Sequence, residues 1–190
     1  MAERLRTRFG GPDDSPGLLL WQVTNRWQAA QRAALAPLGL THVQFVLLAS
    51  LTWLAQEPIA PAVAQEPIAP AVAQEPIAPA VAHADQPAGA VTQRDVADLA
   101  ATDPMMTSQV LRALERKGLL ERTDHPTDGR AKAIRTTAAG VAVANRAIAV
   151  VERCDLDFFG VLGPARTELT RTLLALRDAV AAPATDQRKG

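Results

Sequence analysis

The sequence predicts a mainly α-helical fold that carries one small β-hairpin. Of the 190 residues, 48% are hydrophobic, whereas only 4% are aromatic and none is Tyr. This composition favours packed helices over a β-sandwich, because aromatic residues are enriched in strands. Apolar residues recur at steps of three and four in several segments, which is the spacing of one helix face. A single pair of short apolar runs around a polar turn indicates the hairpin.

Two helices are expected in the first part of the chain. Residues 1–16 are charged and rich in Gly and Pro, and we expect a flexible N-terminus there. Ser15-Pro16 then starts a helix, since Pro is tolerated in the first helical turn. Thr41 caps a second helix, His42–Leu54, which is apolar on nearly all sides, as expected at the centre of a domain. The apolar stripe of the first helix comprises Leu20, Val23, Trp27, Ala30 and Ala34.

A nonapeptide, AQEPIAPAV, follows three times in succession, at 55–63, 64–72 and 73–81. Two Pro residues in each copy exclude a continuous helix and remove donors that a central strand would need. We therefore expect a solvated, polyproline-like loop over residues 55–90. The simplest interpretation is a duplication that lengthened a surface loop, because the entropy of loop closure grows slowly with length. A docking ligand is the alternative, since each copy contains a PxxP motif.

Residues 91–137 combine two short helices with the hairpin. Thr92, with Asp95 three residues later, forms a near capping box, and Asp103 caps the second helix with Pro104 in its first position. Gly118 ends that helix. Strands are expected at 119–123 and 131–136, around the turn-forming segment DHPTDGR. The inward residues are expected to be Val96, Leu99 and Ala100 on the first helix and Val110, Leu111 and Leu114 on the second. This order of elements is that of a winged helix-turn-helix.

Two further helices complete the predicted fold. An Ala- and Val-rich segment from Thr137 to about Phe159 predicts a long helix, and Gly160–Pro164 interrupts it. A last helix has its apolar stripe at Leu169, Leu173, Leu176 and Val180. We assign 17–54 and 138–182 to a helical region outside the winged unit, and 183–190 to a tail.

Composition excludes several classes of protein. The formal net charge is zero, so charge alone would not hold the chain to nucleic acid. One Cys and three His make a disulfide framework or a structural zinc site improbable. We find no nucleophile–base set, phosphate-binding Gly loop or metal-ligand spacing, and expect no catalytic site, cofactor or metal. The absence of a signal peptide or a long apolar run predicts a reduced, cytoplasmic protein without a membrane partner.

The second helix and the hairpin carry the candidate DNA contacts. Segment 104–136 contains seven basic and four acidic residues, a local excess of positive charge. Polar and basic side chains on one helix face suit the major groove, and an Arg at a wing tip suits the minor groove. Asp128 is expected to hold Arg130 by a charge-assisted hydrogen bond. The alternative is an ordinary polar helix surface. The candidates are Met105, Met106, Thr107, Ser108, Gln109, Arg112, Asp128, Arg130 and Lys132.

Residues 111–137, LRALERKGLLERTDHPTDGRAKAIRTT, resemble the MarR family of transcriptional regulators. The family pattern has a Leu-Glu-x-x-Gly helix end, an Arg, and a wing of the form Asp-x-Arg followed by Leu-Thr. Asp128, Arg130 and Thr137 match this pattern, whereas Thr136 stands where Leu is usual. The triple nonapeptide is a second departure, because the family has a short connection there. The resemblance covers residues 17–54 and 91–181.

The resemblance implies a homodimer on double-stranded DNA. In this family the terminal helices of two subunits interleave, and the two winged units bind a pseudo-palindromic operator with half-sites about 10 base pairs apart. The stripes at Leu20–Ala34 and Leu169–Val180 suit such a dimer, and packing within one subunit is the alternative. Regions 17–54 and 138–182 would then be the dimerisation region.

Many family members are repressors released by small aromatic or phenolic ligands, so the resemblance also implies an effector. The candidate pocket residues are Trp21, Arg26, His42 and Trp53, although Trp and His side chains are more often plain core. Cys154 lies in the predicted fifth helix, and we interpret it as an ordinary thiol rather than an oxidant sensor. The leading hypothesis is a dimeric, ligand-responsive DNA-binding repressor. A winged-helix protein-interaction module with a Pro-rich docking loop is the alternative.

Overall fold

The computed structural model describes residues 7–55, 90–124 and 132–181. It confirms a mainly helical fold with a two-stranded antiparallel sheet. The repeat segment 56–89, the wing tip 125–131 and the tail 182–190 lie outside the described residues, as do residues 1–6. The helices and strands are α1 Pro16–Leu35, α2 His42–Leu54, α3 Gln93–Ala100, α4 Pro104–Arg116, β1 Leu120–Asp124, β2 Lys132–Thr136, α5 Ala138–Phe159 and α6 Ala165–Ala181.

The chain divides into two compact units. The first unit comprises Met1–Gln31 and Val150–Gly190, and the second comprises Arg32–Ala149. The second unit therefore contains α2, α3, α4 and both strands. No single helix in the described part of the chain is long and apolar enough to cross a membrane, although α1 and α2 taken as a bent pair have sufficient length and apolarity.

Helix α2 lies at the centre of the second unit, as its sequence predicts. Thr41 forms a complete capping box with Gln44 at its start. Burial of Leu side chains along α2 stabilises the unit by about 1.5–3 kcal/mol each. The buried apolar residues of the unit include Phe45, Leu47, Leu48, Leu51, Val96, Leu111, Leu114, Leu120 and Ile134.

The predicted inner face of α3 is partly wrong. Val96 and Ala97 are buried, whereas Leu99 is 38% exposed. Each residue advances a helix by about 100°, so Leu99 lies about 60° from Val96 on the side away from Ala97, at the edge of the buried arc. On α4, Leu111 and Leu114 are buried as predicted, and Val110 is half-buried.

A carboxylate joins two helices within the first unit. Asp155 Oδ1 on α5 accepts hydrogen bonds from Trp27 Nε1 at 2.7 Å and from Gln31 Nε2 at 2.6 Å, both on α1. Gln31 is buried, and its Oε1 has no hydrogen-bond partner among the described residues. The apolar stripes of this unit remain exposed in the single chain, including Leu20, Val23, Leu173, Leu176 and Val180.

Candidate nucleic-acid interface

Local hydrogen bonds set the start of both helices in the helix-turn-helix. Thr92 N donates to Asp95 Oδ2 at 2.8 Å, and Asp95 N donates to Thr92 Oγ1 at 3.3 Å, which completes the predicted capping box. Asp103 Oδ1 accepts from Met105 N and Met106 N, each at 2.9 Å, and so caps α4. These bonds satisfy backbone donors that a helix leaves free at its first turn. The start of α4 is therefore fixed by its own sequence.

Thr107 is not an outward residue, and the prediction of a DNA-facing side chain there is wrong. It is 0% exposed, and its Oγ1 donates to Asp103 O at 2.8 Å. Because that bond uses the single hydroxyl proton, the 2.8 Å contact between the hydroxyls of Thr107 and Thr102 is a bond that Thr102 donates. Thr107 precedes the buried Leu111 and Leu114 by four and seven residues, so it belongs to the core face. Its hydroxyl bonds the turn between α3 and α4 to the first turn of α4.

The opposite face of α4 is open to solvent. Met105 is 73% exposed, and Gln109 and Arg112 follow it at steps of four and three. Met106 is also exposed, and Ser108 is half-buried. Arg116 lies four residues after Arg112 and is exposed as well, although the sequence interpretation did not include it. The i, i+4 spacing from Arg112 was the available signal.

Ion pairs between β1 and β2 neutralise basic side chains at the described part of the wing. Directly opposite residues pair, namely Lys132 with Asp124 and Arg135 with Glu121. The hydrogen bond from Lys132, and then its positive charge, lowers the pKa of Asp124 below its ordinary value. The candidate contact Lys132 is thus exposed but paired in the free protein. Asp128 and Arg130, the other wing candidates, lie outside the described residues.

Helix α4 is bonded to its neighbours at its C-terminal end. Lys117 Nζ donates to Gly39 O at 2.7 Å and to Gln44 Oε1 at 2.9 Å. Arg122 Nε on β1 lies 3.5 Å from Glu115 Oε2 on α4, which links the wing to the helix. These contacts join the C-terminal end of α4 to the start of α2, to the turn before it and to the wing.

The first turn of α5 docks onto the end of α4. Thr137 Oγ1 donates to Gly118 O at 2.8 Å and accepts from Gly140 N at 3.0 Å. Thr137 N donates to Leu119 O at 3.1 Å. Gly118 has a φ of +69°, a left-handed conformation that suits the predicted helix stop. The Thr that matches the family pattern therefore joins α4, the wing and α5.

The four candidate pocket residues are divided between the two units. Trp21 and Arg26 lie on α1 in the first unit, and Trp21 is 67% exposed. In the second unit Trp53 is 58% exposed, and His42 is half-buried at the start of α2. The Trp53 side chain is thus an exception to the burial expected around α2.

Cys154 has the properties of an ordinary thiol. It is half-buried on α5. Burial raises the pKa of the Cys154 thiol most, and the negative charges of Asp155 and Asp157 raise it further. Within residues 7–55, 90–124 and 132–181, no group of three His, Cys, Asp or Glu side chains is arranged to hold a metal ion.

The chain resembles known bacterial regulators over most of its length. A family model described as the MarR family matches residues 87–132. The chain is 36% identical to the HTH-type transcriptional regulator YdcH of Bacillus subtilis, over 80% of this chain and 84% of that protein.

Two solved structures share the fold. The Mycobacterium tuberculosis MarR family protein Rv2887, in complex with salicylic acid, is 30% identical over 87% of this chain and 99% of that one, with a TM-score of 0.56. A Cys-to-Ser mutant of MarR from E. coli, complexed with operator DNA, is 19% identical over 87% of this chain and 93% of that one, with a TM-score of 0.61. The capped helix pair and the hairpin agree with the family model and with the 30% identity to Rv2887, and the chain belongs to the MarR family of transcriptional regulators.

Proposed function

We propose that this regulator is a dimeric, sequence-specific DNA-binding repressor that a small aromatic or phenolic ligand releases from its operator. One observation carries the proposal. Helix α4 buries Thr107, Leu111 and Leu114 on one side and exposes Met105, Gln109 and Arg112 on the other. The buried side packs against the core of the unit, and the exposed side supplies groups that bind base edges.

The exposed groups match the major groove chemically. Gln pairs with the adenine edge, Arg with the O6 and N7 of guanine, and an apolar Met side chain contacts a thymine methyl. Arg116 lies on the same face at the helix end, and we assign it to a phosphate rather than to a base. In the wing, Arg130 is the proposed minor-groove contact and Asp128 its support.

A homodimer is supported by the first unit. Its α1 and α6 stripes expose several Leu and Val side chains that a partner subunit would cover. A second copy related by a two-fold axis places two recognition helices on a pseudo-palindrome, with half-sites about 10 base pairs apart. The M. tuberculosis relative at 30% identity is called an HTH-type transcriptional repressor, which supports the direction of regulation.

The effector proposal rests on the structure of Rv2887 with salicylic acid and on the exposed Trp side chains of this chain. On α1, Trp21 would supply an aromatic surface and Arg26 a cation for a carboxylate; on α2, Trp53 would separately supply an aromatic surface and His42 a hydrogen-bonding imidazole. Salicylate titration of Trp fluorescence tests this assignment. Quenching should weaken in Trp21→Phe if the ligand binds at α1 and in Trp53→Phe if it binds at α2, and equal quenching in all three proteins would contradict both candidate sites.

DNA contacts are tested with operator DNA selected from a random pool. Arg112→Ala should weaken binding by about 1–3 kcal/mol and relax specificity at one base position. Arg130→Ala should weaken binding and flatten its dependence on salt, because a cation near phosphates is lost, while the dimer stays intact. Arg8→Ala is the matched control, since this exposed Arg lies in the N-terminal segment before α1, outside the helices and the wing. Unchanged operator affinity in Arg130→Ala would remove the wing from the interface.

A further inference from the structure

A pair of Thr hydroxyls joins the end of α2 to the base of the wing. Thr52 Oγ1, in the last turn of α2, lies 3.2 Å from Thr136 Oγ1, at the end of β2. Thr52 Oγ1 also donates to Leu48 O at 2.8 Å. A hydroxyl has one proton, so Thr136 is the donor and Thr52 the acceptor in the contact between them.

This contact replaces an apolar one in the pattern that the chain otherwise follows. The usual Leu before Thr137 would pack through its side chain alone, whereas Thr136 adds a directional bond to α2. The chain between α2 and α3 covers residues 55–92, so no short connection holds the end of α2 near the wing. Non-covalent contacts such as this one must hold it instead.

The strand that carries Thr136 is also the strand that carries Lys132. The backbone of β2 is also bonded to the residues just before α3. Ile134 N donates to Val91 O at 2.8 Å, and Ala133 forms a β-bridge with Thr92. These bonds hold the middle of β2, and the bond to Thr52 holds its end next to α5. The direction of the hairpin thus depends on both.

We propose that Thr136 is a positioning residue for DNA binding, whose hydroxyl bond to Thr52 sets the direction in which the wing leaves the domain. The inference rests on the proposed DNA-binding function and names the contact that prepares the wing for it. Thr136 is half-buried, and we assign it no contact with DNA; it acts through β2.

The donor assignment predicts unequal effects of two isosteric variants on the free protein. Thr136→Val removes the donor but leaves the Thr52 hydroxyl bonded to Leu48 O. Thr52→Val removes both the acceptor and the bond to Leu48 O, and it leaves the Thr136 hydroxyl without its protein partner, so it should cost more stability than Thr136→Val. Adding Thr136→Val to Thr52→Val should therefore recover part of the stability lost in Thr52→Val.

The experiment compares the wild type, Thr136→Val, Thr136→Ser and Arg112→Ala in the full chain. We would measure operator affinity at several salt concentrations, and hydrogen exchange of the β2 amides without DNA. The 3.2 Å separation is long for a hydroxyl pair, so the expected loss is modest. Thr136→Val should bind the operator about three- to fivefold more weakly and exchange its β2 amides faster, whereas Thr136→Ser should behave as the wild type.

The possible results separate the inference from the function on which it rests. Wild-type affinity in Thr136→Val, together with weak binding by Arg112→Ala, would overturn the positioning role and leave the DNA-binding function standing. Equal losses in Thr136→Val and Thr136→Ser would show that packing rather than the hydroxyl matters, and would also overturn it. If the wild type itself selects no DNA sequence, the function fails and the inference fails with it.

Discussion

Gly140 marks the closest approach between α5 and the rest of the DNA-binding unit. A Cβ atom on Gly140 would lie 1.9 Å from Leu119 O and 2.6 Å from Thr136 Cγ2. The first distance is more than 1 Å below the 3.0 Å that Cβ contacts normally respect. Leu119 O already accepts the bond from Thr137 N, so the carbonyl cannot turn aside without losing it. Gly140→Ala must therefore push α5 away from the end of α4.

The expected loss of stability follows from these contacts. Overpacking against a fixed group costs about 1–3 kcal/mol. Displacing the helix also weakens the bonds of Thr137 to Leu119 O and Gly118 O, at about 1 kcal/mol each. Ala is favoured over Gly within a helix by about 0.5–1 kcal/mol, which offsets part of the loss. We expect a net destabilisation of about 2–4 kcal/mol, and a fall in Tm of about 5–15 °C.

Thermal and denaturant unfolding followed by circular dichroism measure this effect. Gly17→Ala is the matched control, because Gly17 lies in the first turn of α1 and a Cβ there meets nothing within 4 Å. The control should leave stability unchanged or raise it by about 0.5–1 kcal/mol. A Gly140→Ala protein as stable as the wild type, beside a control that behaves as expected, would refute the close docking of α5.

Three further predictions concern the wing, the thiol and the repeat. Lys132 lowers the pKa of Asp124, so this ion pair is present above the ordinary pKa of Asp and is lost as the pH falls through the lowered value. In Lys132→Ala, the midpoint of an NMR titration of Asp124 should return to the ordinary value of an Asp side chain. The raised pKa of Cys154 predicts slow labelling by thiol reagents at neutral pH, and rapid labelling would contradict it. Deletion of 55–81 should leave dimerisation and operator binding nearly unchanged, as measured by light scattering and gel shift; loss of folding would show that the repeat packs.

Short-range chemistry explains what the sequence alone could predict. Thr92, Asp103 and Gly118 begin or end helices through bonds to residues two to five positions away, so their roles are readable from spacing. The first and last residues of α2 agree with the sequence prediction, because Thr41 caps the helix and its apolar content is high. Element order and cap chemistry together indicated the winged fold.

Tertiary packing explains what the sequence alone could not predict. Thr107 is polar and early in α4, yet which arc of a helix is buried depends on its neighbours, and here the arc includes Thr107. The pairing of Lys132 with Asp124 depends on the strand register, which short β-like runs do not specify. The bond between Thr52 and Thr136 joins residues far apart in the chain, and no local pattern announces it.

Sequence-specific recognition by the exposed face of α4 is the central claim, and sequencing the DNA bound from a random pool tests it most directly. The wild type should enrich a pseudo-palindrome with half-sites about 10 base pairs apart. Arg112→Ala should enrich the same pseudo-palindrome but with reduced preference at one base position in each half-site, because a single bidentate contact has been removed. No enriched sequence, or an identical preference in the variant, would contradict the claim.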